Sequence, residues 1–205
     1  MRKFKFFTNF DHEEHWLREM SRQGYRLSDK GTFSYTFVPA PPEDVLVKMD
    51  YRIFKKREDF EDYRALFEDS GWEHVLGTKR SGHQYFKAAR KQRDEEIFSD
   101  VTSKASRYKR MAEMWAMLVL SFFPILIALI LTNTIDLQIV TNPKLLYYTP
   151  GLWDMEGMSF WRAFLFETPF ALFRGFLWLF LLIMFLLYLY FAYSANKQYK
   201  KAQKS

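Results

Sequence analysis

The residues best suited to chemistry lie together near the start of the chain, in the order His12-Glu13-Glu14-His15. A zinc-protease helix of the zincin type places its two histidines four positions apart. Here they are only three positions apart, so the spacing does not fit. We predict an exposed, charged first helical turn instead of a metal site, and we expect His74 and His83 to be ordinary strand or turn residues.

Other catalytic patterns are missing from the sequence. It holds no cysteine, which excludes disulfides, thiolate catalysis and cysteine-based metal centres. It has no nucleophile elbow, Walker loop or dinucleotide fingerprint, and the segment 77–82 is expected to be a hairpin turn. The adjacent acidic pairs Glu13/Glu14 and Glu61/Asp62 point in different directions on predicted helices and should be solvated. We therefore expect no enzyme activity, no cofactor and no metal.

Two apolar runs dominate the second half of the chain, at residues 115–132 and 172–193. About 20 apolar residues cross a bilayer as a helix, so these runs predict a transmembrane hairpin. Basic residues flank the runs on one side and are not in excess between them. The positive-inside rule then predicts a multi-pass protein of the cell membrane with both termini in the cytoplasm. Residues 158–173 are expected to form an interfacial amphipathic helix before Pro169 redirects the chain, and Arg174 is expected to reach toward headgroups.

The flanking basic residues predict contact with the anionic headgroups of the lipid bilayer. They are Lys104, Arg107, Lys109 and Arg110 before the first run, and Lys197, Lys200 and Lys201 after the second. Acidic residues interrupt the basic stretch before residue 104, so no nucleic-acid partner is expected. The opening segment M-R-K-F-K-F-F-T-N-F interleaves charges with aromatic residues, which does not fit a cleavable signal peptide.

The first half of the chain repeats a β-α-β-β pattern. Strand, helix and two strands are predicted at 3–7, 11–23, 25–28 and 32–38, and again at 45–54, 58–70, 73–78 and 83–88. Each helix ends in a glycine followed by an aromatic residue, as Gly24-Tyr25 and Gly71-Trp72, which is typical of a left-handed helix terminus. Asp11 with Glu14 fits a capping box. Strand alternation places Phe33, Tyr35 and Phe37 on one face.

The predicted fold class is an α+β soluble domain, a duplicated β-α-β-β unit with one antiparallel sheet and two helices, followed by a two-helix transmembrane hairpin. The predicted segments are a cytosolic domain at 1–92, a basic juxtamembrane linker at 93–113 and a first transmembrane helix at 114–132. An extracytoplasmic loop follows at 133–171, then a second transmembrane helix at 172–193 and a basic cytosolic tail at 194–205.

Several short motifs occur in order: K-F-K-F-F, H-W-L-R-E-M-S-R-Q-G-Y-R-L, G-T-F-S-Y-T-F and D-Y-R-I-F. Followed by two spans, they resemble a family of uncharacterised bacterial membrane proteins, mainly Gram-positive, whose N-terminal region is a domain of unknown function. The resemblance covers about residues 3–90. Members are often encoded beside PadR-type regulators, which implies a regulated envelope or stress response, and the resemblance implies no catalytic residue. The duplicated unit is also similar in topology to the GyrI-like effector-binding fold.

The predicted function is that of a non-enzymatic membrane protein with a cytosolic sensing or protein-interaction domain. One alternative is an effector-binding module that holds an amphipathic small molecule between the repeats by ring stacking and cation–π contacts. Its candidate residues are Tyr35, Tyr51, Trp72 and Tyr85. A second alternative is an accessory subunit of a transporter. The expected partners are therefore the bilayer, a membrane protein or second copy of the chain, and an amphipathic compound.

Overall fold

The computed structural model describes residues 1–89, 97–98, 100–132 and 137–204. Two compact units make up the chain. Unit 1 comprises Met1–Met114 and Phe191–Ser205, and unit 2 comprises Trp115–Tyr190. The predicted cytosolic domain is thus joined in unit 1 by residues that the sequence placed in the linker and the tail.

Unit 1 contains the duplicated β-α-β-β pattern. The first repeat is β1 (Arg2–Phe4), α1 (Phe10–Arg22), β2 (Tyr25–Lys30) and β3 (Ser34–Pro39). The second repeat is β4 (Val47–Tyr51), α2 (Arg57–Asp69), β5 (Trp72–Leu76) and β6 (His83–Ala88). Every paired strand is antiparallel.

The prediction of one continuous sheet is wrong. The strands form two three-stranded sheets, in the orders β1-β3-β2 and β4-β6-β5. The edge strands β2 and β5 each carry a register shift, between Leu27 and Asp29 and between His74 and Leu76. Each repeat therefore forms its own sheet, and the register shift marks a bulge that locally interrupts the ladder of its edge strand.

The helix ends follow the predicted signal. Gly24 has a φ of 83° and Gly71 a φ of 84°, both in the left-handed region where glycine is favoured. Their carbonyl groups accept equivalent hydrogen bonds, from the Ala40 amide at 2.9 Å and from the Ala89 amide at 3.0 Å. The start of α1 differs from the prediction, because Asn9 is the N-cap and accepts from the amides of Asp11 and His12. Asp11 and Glu14 form no capping box.

Two buried clusters form the core of unit 1. The larger joins both repeats to a residue beyond them, and its members are Phe10, Leu17, Met20, Tyr35, Phe37, Met49, Tyr51, Tyr85 and Tyr108. The smaller belongs to the second repeat, with Phe54, Phe60, Tyr63, Trp72 and Phe86. Phe33 does not share the buried face of Tyr35 and Phe37, since it precedes the first residue of β3 and is exposed.

Two long helices follow, α3 (Val101–Leu131) and α4 (Gly157–Ala202), and both are long and apolar enough to cross a membrane. At 1.5 Å per residue they measure about 47 Å and about 69 Å, against about 30 Å of hydrocarbon. Pro169 lies inside α4 and does not redirect the chain, so no separate interfacial helix forms. A proline is tolerated in such a helix where neighbouring groups satisfy the freed carbonyl.

Aromatic pairs join the two helices within unit 2. Tyr188 lies 5.7 Å from the Trp115 ring and 5.3 Å from the Phe122 ring, and Phe123 stacks on Phe185 at 6.2 Å between centroids. Three short 3-10 turns, Leu137–Val140, Pro143–Leu146 and Leu152–Asp154, lie between the helices in the chain.

Candidate functional site

The first turns of α1 carry two glutamates that point to different partners. Consecutive residues on a helix lie about 100° apart, so Glu13 and Glu14 cannot share an environment. Glu13 is only 3% exposed and Glu14 only 6%. The expectation that this pair is solvated is therefore wrong, whereas Glu61 and Asp62 are exposed as predicted.

Glu13 connects the two repeats. Its Oε1 accepts hydrogen bonds from the hydroxyl of Tyr35 in the first sheet, at 2.6 Å, and of Tyr85 in the second, at 2.7 Å. Burial raises the pKa of the Glu13 carboxyl, and the two hydroxyl bonds lower it only in part. Burial and the nearby Glu13 carboxyl also raise the pKa of Tyr85 well above its ordinary value. The carboxyl thus holds two tyrosines from different repeats in one buried group.

Glu14 binds a cation from beyond the repeats. Arg107, on α3, is only 1% exposed and its Nη1 lies 2.5 Å from Glu14 Oε1. The same Nη1 donates to the carbonyl of Met49 at 2.9 Å, and Nη2 donates to Asp11 Oδ1 at 2.6 Å. Lys48 Nζ lies 3.3 Å from the other oxygen of Glu14. Burial lowers the pKa of Arg107, but Glu14, Tyr108 and Asp11 outweigh it and leave that pKa raised.

A second arginine fixes the same face of α3. Arg110 lies three positions after Arg107 and donates from Nη2 to Asp50 Oδ1 and from Nε to the Tyr51 carbonyl, both at 2.5 Å. Asp50 is buried in β4 and also accepts from the hydroxyl of Tyr63 at 3.0 Å. We call Arg107 and Arg110 the arginine pair. It binds α3 to α1 and to β4.

Residues of α3 and of the last part of α4 also pack against the start of α1. The Tyr108 hydroxyl accepts from the Phe10 amide and donates to Asn9 Oδ1, each at 3.1 Å. Gln198, near the end of α4, accepts from Asn9 Nδ2 at 3.4 Å, and Tyr199 packs against the larger core cluster. Unit 1 therefore includes the first part of α3 and the last part of α4.

The predicted headgroup-binding residues fall into two groups. Arg107 is buried against acidic residues of α1, which differs from the expectation of a cation that faces lipid, and the part-buried Arg110 is bonded to β4. Each has a carboxylate partner within unit 1. The remaining candidates are half-buried at Lys104 and exposed at Lys109, Lys197, Lys200 and Lys201. For those five, headgroup contact stays a prediction.

The predicted aromatic binding residues are all buried. Tyr35, Tyr51 and Tyr85 belong to the larger core cluster and Trp72 to the smaller, so they do not form the four walls of one cleft. A groove of about 590 Å³ does lie between the repeats, and of the four candidates it is lined by Tyr85 alone, together with apolar residues such as Leu27 and Val47. Ligand binding at the four residues stays a prediction.

His12 and His15 of α1 do not belong to a metal site in the part of the chain that the structure describes. Within residues 1–89, 97–98, 100–132 and 137–204, no group of three or more histidine, aspartate and glutamate side chains could hold a metal ion. His12 and His15 are exposed. The sequence analysis missed the buried ion pair of Glu14, because its partner Arg107 lies 93 positions further along the chain and leaves no local signal.

Unit 2 has its own charge pair, formed by the buried Glu167 of the predicted loop and the part-buried Arg174 near the start of the predicted second span. Glu167 is bonded by the amide and hydroxyl of Thr149 and by the amide of Tyr148. Arg174 Nη2 lies 2.8 Å from Glu167 Oε1 and also donates to the Leu146 carbonyl, with its guanidinium 4.0 Å above the Tyr148 ring. Arg174 thus contacts the segment between the two helices. Its contact with headgroups stays a prediction.

Together these features define a class: an α+β domain of two sheets, bonded by the arginine pair to a helix that is apolar enough to cross a membrane, with a second such helix after it. The chain belongs to the family described as "Protein of unknown function (DUF2812)", which matches residues 9–120 and so more than half of the 205-residue chain. No curated protein and no solved structure matches it. The predicted N-terminal domain of unknown function is confirmed, and the match extends past residue 90 to include the arginine pair.

Proposed function

We propose that the chain is a non-enzymatic, two-span protein of the cell membrane, with both termini in the cytoplasm, whose family domain senses a signal or binds a protein. The proposal rests on the position of Arg107 in α3. Its guanidinium is buried in the domain, while the same helix contains the apolar residues 115–131 eight positions later. A change in the domain therefore has a covalent and hydrogen-bonded route to the first apolar segment.

The chemistry of the site supports binding over catalysis. The buried carboxylates of α1 are bound by tyrosine hydroxyls, a backbone amide and basic side chains. A general acid or base must reach a substrate within hydrogen-bond distance. Glu13 and Glu14 instead hold together elements of the domain, so we assign them a structural role that a bound partner could alter.

The effector-binding alternative draws support from the groove between the repeats. The groove is lined in part by Tyr85, whose hydroxyl donates to Glu13, so a compound in the groove would contact one of the two tyrosines that Glu13 joins. The lining mixes apolar residues such as Val47 with charged ones such as Glu73 and Lys87, which suits an amphipathic compound. The bilayer and a membrane protein or second copy of the chain remain the other proposed partners.

The membrane part is tested by single-cysteine labelling, since the natural sequence has no cysteine. Glu156→Cys and Lys204→Cys both lie at exposed positions. With an impermeant thiol reagent on intact cells, Glu156→Cys should label and Lys204→Cys should label only after permeabilisation. Equal labelling of both positions, or the reverse pattern, would overturn the proposed topology.

The binding part is tested with the full chain in mild detergent. A panel of membrane-active cationic and neutral amphiphiles is titrated while tryptophan fluorescence and calorimetric heat are followed. The effector alternative expects a compound whose affinity falls when Val47→Arg fills the groove and is unchanged by Leu66→Arg on the exposed face of α2. If Val47→Arg and Leu66→Arg change the affinity equally, the effector alternative fails and protein interaction stays the proposed role.

A further inference from the structure

The strand β1 and the residues that follow it present two phenylalanines outward, Phe4 and Phe6, while Phe7 packs against Trp16 and the larger core cluster. Lys3 Nζ contacts Met20 Sδ at 3.3 Å, and Lys5 Nζ lies 4.8 Å from the Trp16 ring, so both lysines face α1. Phe4 and Phe6 lie on the opposite side, 76% and 47% exposed. A sheet with one buried face ordinarily turns its apolar residues inward. Here that arrangement is reversed.

A third phenylalanine joins this surface. Phe33 is 60% exposed and its ring centroid lies 5.6 Å from that of Phe6, while the Lys5 amide donates to the Phe33 carbonyl at 3.1 Å. Arg2 holds its guanidinium 5.2 Å from the centre of the Phe4 ring. We call Phe4, Phe6 and Phe33 the phenylalanine patch. Adjoining exposed apolar rings on a folded domain mark an interaction surface.

The patch touches α4 where the apolar segment of that helix ends. Phe6 packs against Phe191, with centroids 5.4 Å apart. Phe191 directly follows the apolar residues 172–190 in the chain and precedes the exposed Lys197 and Lys200. In a spanning helix this is the level at which hydrocarbon gives way to headgroups, where aromatic residues are favoured.

We propose that the phenylalanine patch docks on the cytosolic leaflet of the bilayer. The rings would enter the boundary between headgroups and acyl chains, to a depth of about 5–10 Å. The Arg2 guanidinium beside Phe4 would meet the anionic headgroups. This inference rests on the proposed function, because it requires α4 to span the membrane.

The test uses the full chain with one cysteine at a time, labelled with an environment-sensitive fluorophore. The protein is reconstituted in vesicles of phosphatidylcholine and phosphatidylglycerol, some of which carry nitroxide lipids with the spin label near the headgroup. Phe4→Cys and Phe33→Cys report on the patch. Leu66→Cys is the matched control, because it is an equally exposed apolar position in the same unit. Leu120→Cys and Leu186→Cys report on the two helices.

We expect labels at 4 and 33 to shift to shorter wavelength in vesicles and to lose fluorescence to the nitroxide lipids, while the label at 66 does neither. If the labels at 120 and 186 are quenched but those at 4 and 33 are not, the inference is wrong and the membrane proposal stands. If the labels at 120 and 186 are also unaffected, the membrane proposal itself fails. A wavelength shift at 4 and 33 without quenching would mean that protein covers the patch, which also overturns the inference.

Discussion

Arg107 Nη1 lies 2.5 Å from Glu14 Oε1, although the two residues are 93 positions apart in the chain. Both side chains are buried, and each also has a second charged partner, Lys48 for Glu14 and Asp11 for Arg107. Removal of one member of a buried ion pair costs about 3–5 kcal/mol when the other charge is left uncompensated, so the second partners make this an upper limit. We expect Arg107→Leu and Glu14→Leu each to reduce the free energy of unfolding by up to this amount, measured by denaturant unfolding of the full chain in detergent.

The double variant should lose less than the sum of the two single losses, since it removes both charges together. Lys109→Gln is the matched control on the same helix, because Lys109 is exposed and its ion pair with Glu113 is solvent-screened. Strict additivity of the Arg107 and Glu14 losses would show that the pair does not interact in solution.

Truncation of the chain should show where the domain ends. A fragment of residues 1–93 lacks Arg107 and Tyr108, whereas a fragment of residues 1–114 keeps both. We expect the shorter fragment to unfold at a lower denaturant concentration, because Glu14 loses its guanidinium partner and the core loses the Tyr108 ring. Circular dichroism during urea titration measures the difference. Equal midpoints would contradict the assignment of α3 to the domain.

His83 should make the domain sensitive to acid. Burial, with a smaller effect from Lys30, lowers the pKa of His83 to about 4 from 6.5. The unfolded chain therefore binds a proton between pH 6.5 and pH 4 that the folded chain does not, so stability falls as the pH falls through this window. The loss is at most about 3 kcal/mol. Unfolding of the wild type and of His83→Gln at several pH values should show a smaller pH dependence in the variant.

The titration of Glu13 should change the stability with pH in the opposite direction to that of His83. Burial raises its folded pKa above the ordinary value of 4.5, so just above pH 4.5 the folded carboxyl keeps a proton that the unfolded one has lost. Unfolding then releases a proton, and stability decreases as the pH rises through the window above 4.5. Relative to Glu13→Gln, which cannot titrate, the wild type should lose stability as the pH rises from 4.5. A gain over the same range would contradict the raised pKa.

Gly71 should tolerate only residues that adopt a left-handed backbone. Its φ is 84°, and a β-branched side chain in this region costs about 1–2 kcal/mol. Gly71→Val should therefore lower the unfolding midpoint, whereas Gly71→Asn should have a smaller effect because asparagine visits this region more readily. Equal losses in thermal unfolding would argue against a backbone cause.

The sequence predicted those parts of the fold that depend on neighbouring residues. The repeat, the glycines that end α1 and α2, and the two apolar runs each leave a local signal, and the structure has all of them. Burial of Glu13 and Glu14 leaves no such signal. It depends on Tyr85 and Arg107, which are far away in the chain, and an acidic pair on a helix is ordinarily solvated.

The division into two sheets could not be predicted for a similar reason. Alternation along β2 and β5 predicts which residues face the core, but it does not say which strands pair with one another, and it does not reveal the bulge that each of these strands carries. Phe33 was assigned to the wrong face because the alternation was extended one residue beyond the start of β3. The burial of Arg107 against Glu14 could not be predicted either, because a basic residue near an apolar run suits either a headgroup or a buried carboxylate.

Amide hydrogen exchange of the full chain in lipid nanodiscs tests the central claim most directly, that one helix belongs both to the domain and to the membrane. We expect residues 101–110 to be as protected as α1 in the wild type. In Arg107→Leu this protection and that of α1 should fall together, while residues 116–131 stay protected by the bilayer. Rapid exchange of residues 101–110 in the wild type, as in an unattached linker, would contradict the account.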